Sequence, residues 1–178
     1  MTKRHSDKQI EKLKIDNANL VGDKRYFETL VDFMSNSISM TFPSCAIVRG
    51  ADTIFSDRII SSSKLLICIP ATDEVCMSCV DYAISSVQSA FSNFATDSCI
   101  NILSFGYNPD LKERIIKKKV FYVAQNDLSS FSAFNQVLPF YLVIDGEKHI
   151  ISSFIPNMTL PKLTRDYLHN IHSYLSNE

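Results

Sequence analysis

Cys76 and Cys79 stand three residues apart in the stretch KLLICIPATDEVCMSCVDYAISSVQSAF, where an apolar run gives way to a helical pattern. A pair at this spacing admits three chemistries: a redox dithiol, half of a zinc site, or ordinary buried sulfur. A structural zinc site takes four Cys or His ligands, often as two spaced pairs. Here there is one pair; His149, His169 and His172 are the residues that would have to complete it, and the last two read more simply as solvated surface of a C-terminal helix. No metal is therefore expected. The other cysteines, Cys45, Cys68 and Cys99, lie in the apolar settings PSCAIV, LLICIP and SCINILSF. Free cysteine in such places behaves as a small buried hydrophobe. Five cysteines cannot all pair within one chain and show no regular spacing, which argues against a disulfide scaffold.

The 178 residues, 46 % of them apolar, suffice for one well-buried domain. Lys plus Arg total 18 against 19 Asp plus Glu, so there is no broad positive field to draw nucleic acid or anionic lipid. The longest apolar runs, LLICI and FYLVI, are strand-length and far short of the roughly 20 residues of a membrane helix. The start, MTKRHSDKQIEKLKIDN, lacks the apolar centre of a secretion signal.

The elements that must position the pair follow from periodicity. Residues 1–20 are charge-rich with few apolar anchors and read as a flexible arm or linker. Between Lys24 and Met34 apolar residues recur at helical spacing, and CAIVRG reads as a short strand; residues 21–63 thus form an N-terminal extension packed on the domain that occupies 64–178. LLICIP has the continuous apolar character of a strand covered on both faces. Val80, Ala83, Ile84, Val87 and Phe91 then mark an amphipathic helix. CINILSF and VFYVA are further strands, with NPDLKERIIKKK as a helix between them and QNDLSSFSAFNQV as a polar segment after them. LPFYLVIDGEKHIISSFIP reads as an antiparallel hairpin turning at Asp145-Gly146, a pair suited to positive backbone angles. Leu160 to Leu175 close the chain as a helix. The order predicts an α/β fold, a central mixed sheet flanked by helices.

That order, with Cys-x-x-Cys at the first helix start, resembles the thioredoxin-like superfamily from about Leu65 to Leu175. The segment QVLPFYLVIDGEK resembles the family's second signature, a cis proline opening the strand before an Asp-Gly turn. The insertion between helix and proline looks most like the extracytoplasmic reductases and the branch that groups alkyl hydroperoxide reductase with thiol-specific antioxidant domains. The resemblance implies a Leu138-Pro139 cis peptide beside the cysteines, binding an extended substrate through its backbone. It also implies a redox-active Cys76-Cys79 disulfide as the only cofactor.

In this setting Cys76 is the nucleophile, standing where unpaired helix amides and the positive end of the dipole stabilise a thiolate. Cys79, one turn further in, is the resolving thiol. Ser78 to Asp81 also fits a capping box, which would start the helix later and leave Cys76 in the loop. The expected activity is thiol-disulfide exchange, as a reductant or isomerising exchanger acting on protein thiols or disulfides, with a membrane electron donor as a further partner. The alternatives are a non-catalytic binding module and a thiol peroxidase. For the peroxidase, PATDEVC approaches the Pro-x-x-x-Thr-x-x-Cys pattern, but Thr72 precedes Cys76 by four residues instead of three and Arg165 is the only arginine beyond Arg114. The expected location is the periplasm or bacterial cell envelope if a leader has been removed, and the cytoplasm otherwise.

Overall fold

A computed structural model of the chain describes residues 3–38, 40–49, 52–70, 75–107, 111, 118–123 and 137–176. In chain order their elements are α1 (Lys3–Ser37), β1 (Ala46–Arg49), β2 (Asp52–Phe55), a short 3-10 turn (Ser56–Arg58), β3 (Lys64–Pro70), α2 (Met77–Ala90), β4 (Ile100–Phe105), β5 (Val120–Val123), β6 (Phe140–Ile144), β7 (Ile150–Phe154) and α3 (Pro161–Leu175). The segments NPDLKERIIKKK and QNDLSSFSAFNQV, apart from Leu111, Lys118 and Lys119 of the first and Val137 of the second, lie outside the described residues.

All seven strands form one sheet in the order β2-β1-β5-β4-β3-β6-β7. β3 runs parallel to β4 and β4 to β5, while β6 is antiparallel to β3 and β7 to β6. Parallel neighbours need a crossover, and α2 supplies it between β3 and β4. Every residue of β3 and of β6 is buried, which is why both read as unbroken apolar runs. The sheet is mixed and flanked by helices, as the element order predicts.

Successive strand residues point to opposite faces, and the pair Phe140-Tyr141 shows which helix covers which. Phe140 meets the ring of Phe33 on α1 at 5.1 Å. Tyr141 points the other way, donating its hydroxyl to the Ala83 carbonyl of α2 at 2.7 Å and stacking on Tyr167 of α3 at 6.2 Å. Thus α1 lies on one face and α2 with α3 on the other. Phe154, paired with Tyr141 across β6 and β7, extends the second cluster, its ring 4.4 Å from Tyr167.

The β6-β7 hairpin differs in detail from the expected Asp145-Gly146 turn. Lys148 N–H closes it on the Asp145 carbonyl at 3.0 Å, and the positive backbone angle falls on Lys148 (φ 69°), not on Gly146. The Asp145 carboxylate accepts from the Glu147 and His149 amides at 2.9 and 2.8 Å, which fixes this longer loop, and the register shifts between Val143 and Ile144. A type I turn followed by one left-handed residue is the common solution when a hairpin carries an extra residue.

The N-terminal region departs further. Residues 3–20, expected as a flexible arm, are the first half of the 35-residue α1. Their side chains from Lys8 to Leu20 are all exposed; further on Asp23, Tyr26 and Met34 are half-buried and Leu30, Phe33 and Ser37 buried. That stripe docks the second half of α1: Tyr26 donates to the Ile155 carbonyl at 2.7 Å, and Ser37 hydrogen-bonds Ser153 across the interface. The charge that suggested an arm is the solvated surface of a helix. β1 appears where CAIVRG was read, but its partner β2, absent from the sequence reading, completes an antiparallel hairpin at the sheet edge.

Candidate active site

β3 leads out of the core at Pro70, and after residues 71–74 the chain enters α2 through Cys76. Cys76 is the N-cap: its backbone is extended (φ −72°, ψ 98°), its carbonyl accepts the Val80 amide at 3.0 Å, and its Sγ accepts the Cys79 amide at 3.3 Å. A sulfur thus fills the place that a serine or aspartate oxygen usually takes, satisfying one of the orphan amides of a helix start. The helix begins at Met77 with Cys76 as its N-cap, so it does not start later at a Ser78 cap.

Cys76 and Cys79 are joined as a disulfide with their Cα atoms 5.2 Å apart. Both are half-buried, and Ser78 between them is exposed. The Ser78 hydroxyl lies 3.3 Å from the Cys76 sulfur, giving it a second polar neighbour. The sequence pattern offers Ser78 as a capping residue and not as a neighbour of the Cys76 sulfur; the signal available was a hydroxyl two residues past a helix N-cap, within reach of the capping atom. Behind the site α2 is held rigid, with Val80, Ala83, Ile84 and Val87 buried and the Tyr141 hydroxyl on the Ala83 carbonyl. Burial of that phenol pushes its pKa well above the ordinary tyrosine value, so it stays a donor.

Pro139 is buried and Leu138 half-buried, packed against the core, while Val137 stands exposed. They precede β6, whose first residue, Phe140, pairs with Cys68 of β3. Because the two strands are antiparallel, Pro139 and Leu138 run alongside the last residues of β3, the end from which the chain departs toward Cys76. The expected cis isomer is not found: no peptide bond among the described residues is cis, and Leu138-Pro139 is trans. An Xaa-Pro bond prefers trans by about 0.5–1 kcal/mol, so position alone does not impose the rarer form.

The remaining candidates sort by environment. Cys68 is completely buried, and burial pushes its thiol well above the usual range. Cys45 is also buried and Cys99 half-buried. His149 lies against Asp145 at 3.2 Å, and His172 on α3 packs on the Phe91 ring at 4.9 Å. Among the described residues no group of three or more His, Cys, Asp or Glu side chains is placed to hold a metal ion, and no helix is long and apolar enough to cross a membrane. Thr72, Asp73 and Glu74 lie outside the described residues.

No family model matches the sequence, and no curated protein does. Solved structures match the fold. A thiol:disulfide interchange protein from Bacteroides sp. superposes with a TM-score of 0.53 at 12 % identity, covering 76 % of this chain and 92 % of that one. A thioredoxin-like protein from Bacteroides caccae gives 0.52 at 14 % identity over 75 % of this chain and 49 % of that one. Arabidopsis thaliana ScoI, solved with copper bound, gives 0.51 at 11 % identity over 76 % and 100 %. Identities this low speak to architecture alone. Together with the order β7-β6-β3-β4 around the crossover helix and the disulfide at that helix's first turn, they establish that this chain has the thioredoxin-like fold.

Proposed function

We propose that the chain is a thiol-disulfide oxidoreductase, working as a reductant or isomerising exchanger through its Cys-Met-Ser-Cys motif. The observation that carries this is the Cys76 sulfur at the N-cap of α2, accepting the Cys79 amide and already bonded to the sulfur it would exchange with. In the reduced protein the same amide and the helix dipole favour a Cys76 thiolate. That thiolate attacks one sulfur of a substrate disulfide; the substrate's S–S bond breaks and its other sulfur leaves as a thiolate that takes a proton. Cys79 then gives up its proton and attacks the Cys76 sulfur, reforming the Cys76-Cys79 bond and expelling the second substrate sulfur. Two electrons and two protons pass to the substrate, and a thiol donor restores the dithiol.

The backbone at Leu138-Pro139, which bends at Leu138 just before β6, is the proposed docking segment for the substrate chain, with main-chain pairing as the source of affinity. It needs no proton transfer from either residue. The natural partners on this reading are protein thiols or disulfides, with a membrane-bound electron donor and a cell-envelope location as parts of the same proposal, nearest the extracytoplasmic reductases. The interchange protein of similar fold supports the reading, whereas the copper protein shows that the fold hosts other chemistry. Insulin reduction with dithiothreitol tests it: turnover by the parent and none by Cys76→Ser is expected. A parent without turnover favours the binding module, and peroxide consumption with a thiol donor favours the peroxidase.

A further inference from the structure

A face of α1 beside the docked stripe carries a pattern that the fold uses only at Met34, which packs against the core. Counting alternately three and four residues from Ile10 gives an unbroken heptad series of four repeats. Its a positions are Ile10, Asn17, Lys24, Val31 and Ile38; its d positions are Leu13, Leu20, Phe27 and Met34. Six of the seven apolar members are 44–67 % exposed. Apolar heptads sustained over three to four repeats are the signature of a coiled coil, and the period of 3.5 marks a seam for another helix more than a face for a sheet.

Apart from Met34, the apolar members of the seam are exposed. α1 docks on the sheet through Tyr26, Leu30, Phe33 and Ser37, and Phe27 and Val31 follow the first two of these by one residue, about 100° around the helix. A second helix can therefore lie on the seam without disturbing the docked stripe. The seam's first half runs along turns whose side chains from Lys8 to Leu20 are exposed, where a helix gains little stability unless an apolar face is covered.

We infer that α1 pairs with α1 of a second copy of this chain as a parallel, in-register two-stranded coiled coil. The two polar a positions choose this occupant. In register, Asn17 meets Asn17, and the two amides can bond each other; a lone Asn at an a position is a known determinant of register and oligomer state. Lys24 would pack beside Asp23 and Glu28 of the second copy, at the flanking g and e positions, so charge is complementary where the seam is least apolar. Within one chain Lys24 already lies 3.6 Å from Glu28, so the ammonium is at the right height on the helix. A lipid surface, by contrast, would have to accept Asn17 and Lys24 in the middle of the apolar stripe with Asp16 and Asp23 beside them.

The test is sedimentation equilibrium of the full chain at tens of micromolar. A dimer is expected, and L13K/L20K should be monomeric while its near-ultraviolet circular dichroism and thermal midpoint, which report the sheet domain, stay those of the parent. Ile10→Cys should cross-link into a covalent dimer under mild oxidation, well above the parent, because a residues face each other only in a parallel pair. A monomeric parent, a dimer that survives L13K/L20K, or binding of monomer to phosphatidylglycerol vesicles that L13K/L20K abolishes would each overturn the proposal.

Discussion

Cys68 and Cys76 are eight positions apart and belong to opposite worlds. Cys68 sits in the middle of β3, wholly buried among apolar side chains, and burial pushes its thiol well up. Cys76 sits half-exposed on the first turn of α2 with an amide aimed at its sulfur. On the proposed function, the difference teaches that reactivity follows from where an element begins, not from sulfur as such. A strand interior removes the solvation a thiolate needs and offers nothing in return; a helix start offers unpaired N–H groups.

The same substitution at the two sites should have opposite consequences. Cys76→Ser should abolish disulfide reduction entirely, yet leave stability within about 0.5 kcal/mol of the reduced parent, because serine is a good N-cap. Cys68→Ser should leave turnover intact and cost about 1–3 kcal/mol, since it buries a hydroxyl in an apolar strand. Steady-state insulin assays and urea unfolding of both variants measure the contrast. Equal losses of activity would break it.

pH sharpens the same comparison. The Cys68 thiol keeps its proton in the folded state, whereas the unfolded chain loses it near pH 8.5. A raised acid pKa gives stability that is fully present below the unfolded value and is lost as pH rises above it. Stability should therefore fall between pH 8 and 10, by up to about 2 kcal/mol from this group. Cys68→Ala should flatten that part of the profile, and an unchanged slope would show that the thiol ionises in place.

Smaller effects are expected around α2. Tyr141→Phe removes the hydroxyl that ties β6 to the Ala83 carbonyl and should cost about 1 kcal/mol with little change in turnover. Ser78→Ala removes the second polar neighbour of the Cys76 sulfur and should leave the reduced protein's thiolate absorbance at neutral pH nearly unchanged. A large loss of that absorbance would make Ser78, and not the helix start, the main stabiliser.

Much of this was legible in the residues. LLICI and FYLVI announced central strands because burial on both faces leaves no polar alternation to obscure them. The cysteine pair was legible because the apolar period changes from strand to helix beside it. The first half of α1 was not, since Lys8 to Leu20 are exposed and carry no core-facing stripe. β2 was missed because Asp52–Phe55 is four residues at a sheet edge with no buried member. The proline isomer could not be read, because an energy gap near 1 kcal/mol is decided by surroundings that sequence pattern does not reveal. Ser78 was hidden in plain view, its role visible only once the N-cap is located.

The central claim, that Cys76 is the attacking sulfur and Cys79 the resolving one, is tested most directly by trapping with a disulfide-bonded substrate. Cys79→Ser should accumulate a covalent adduct mapped by mass spectrometry to Cys76, while Cys76→Ser should accumulate almost none. Adducts of equal yield in the two variants, or an adduct found chiefly on Cys79, would contradict the account.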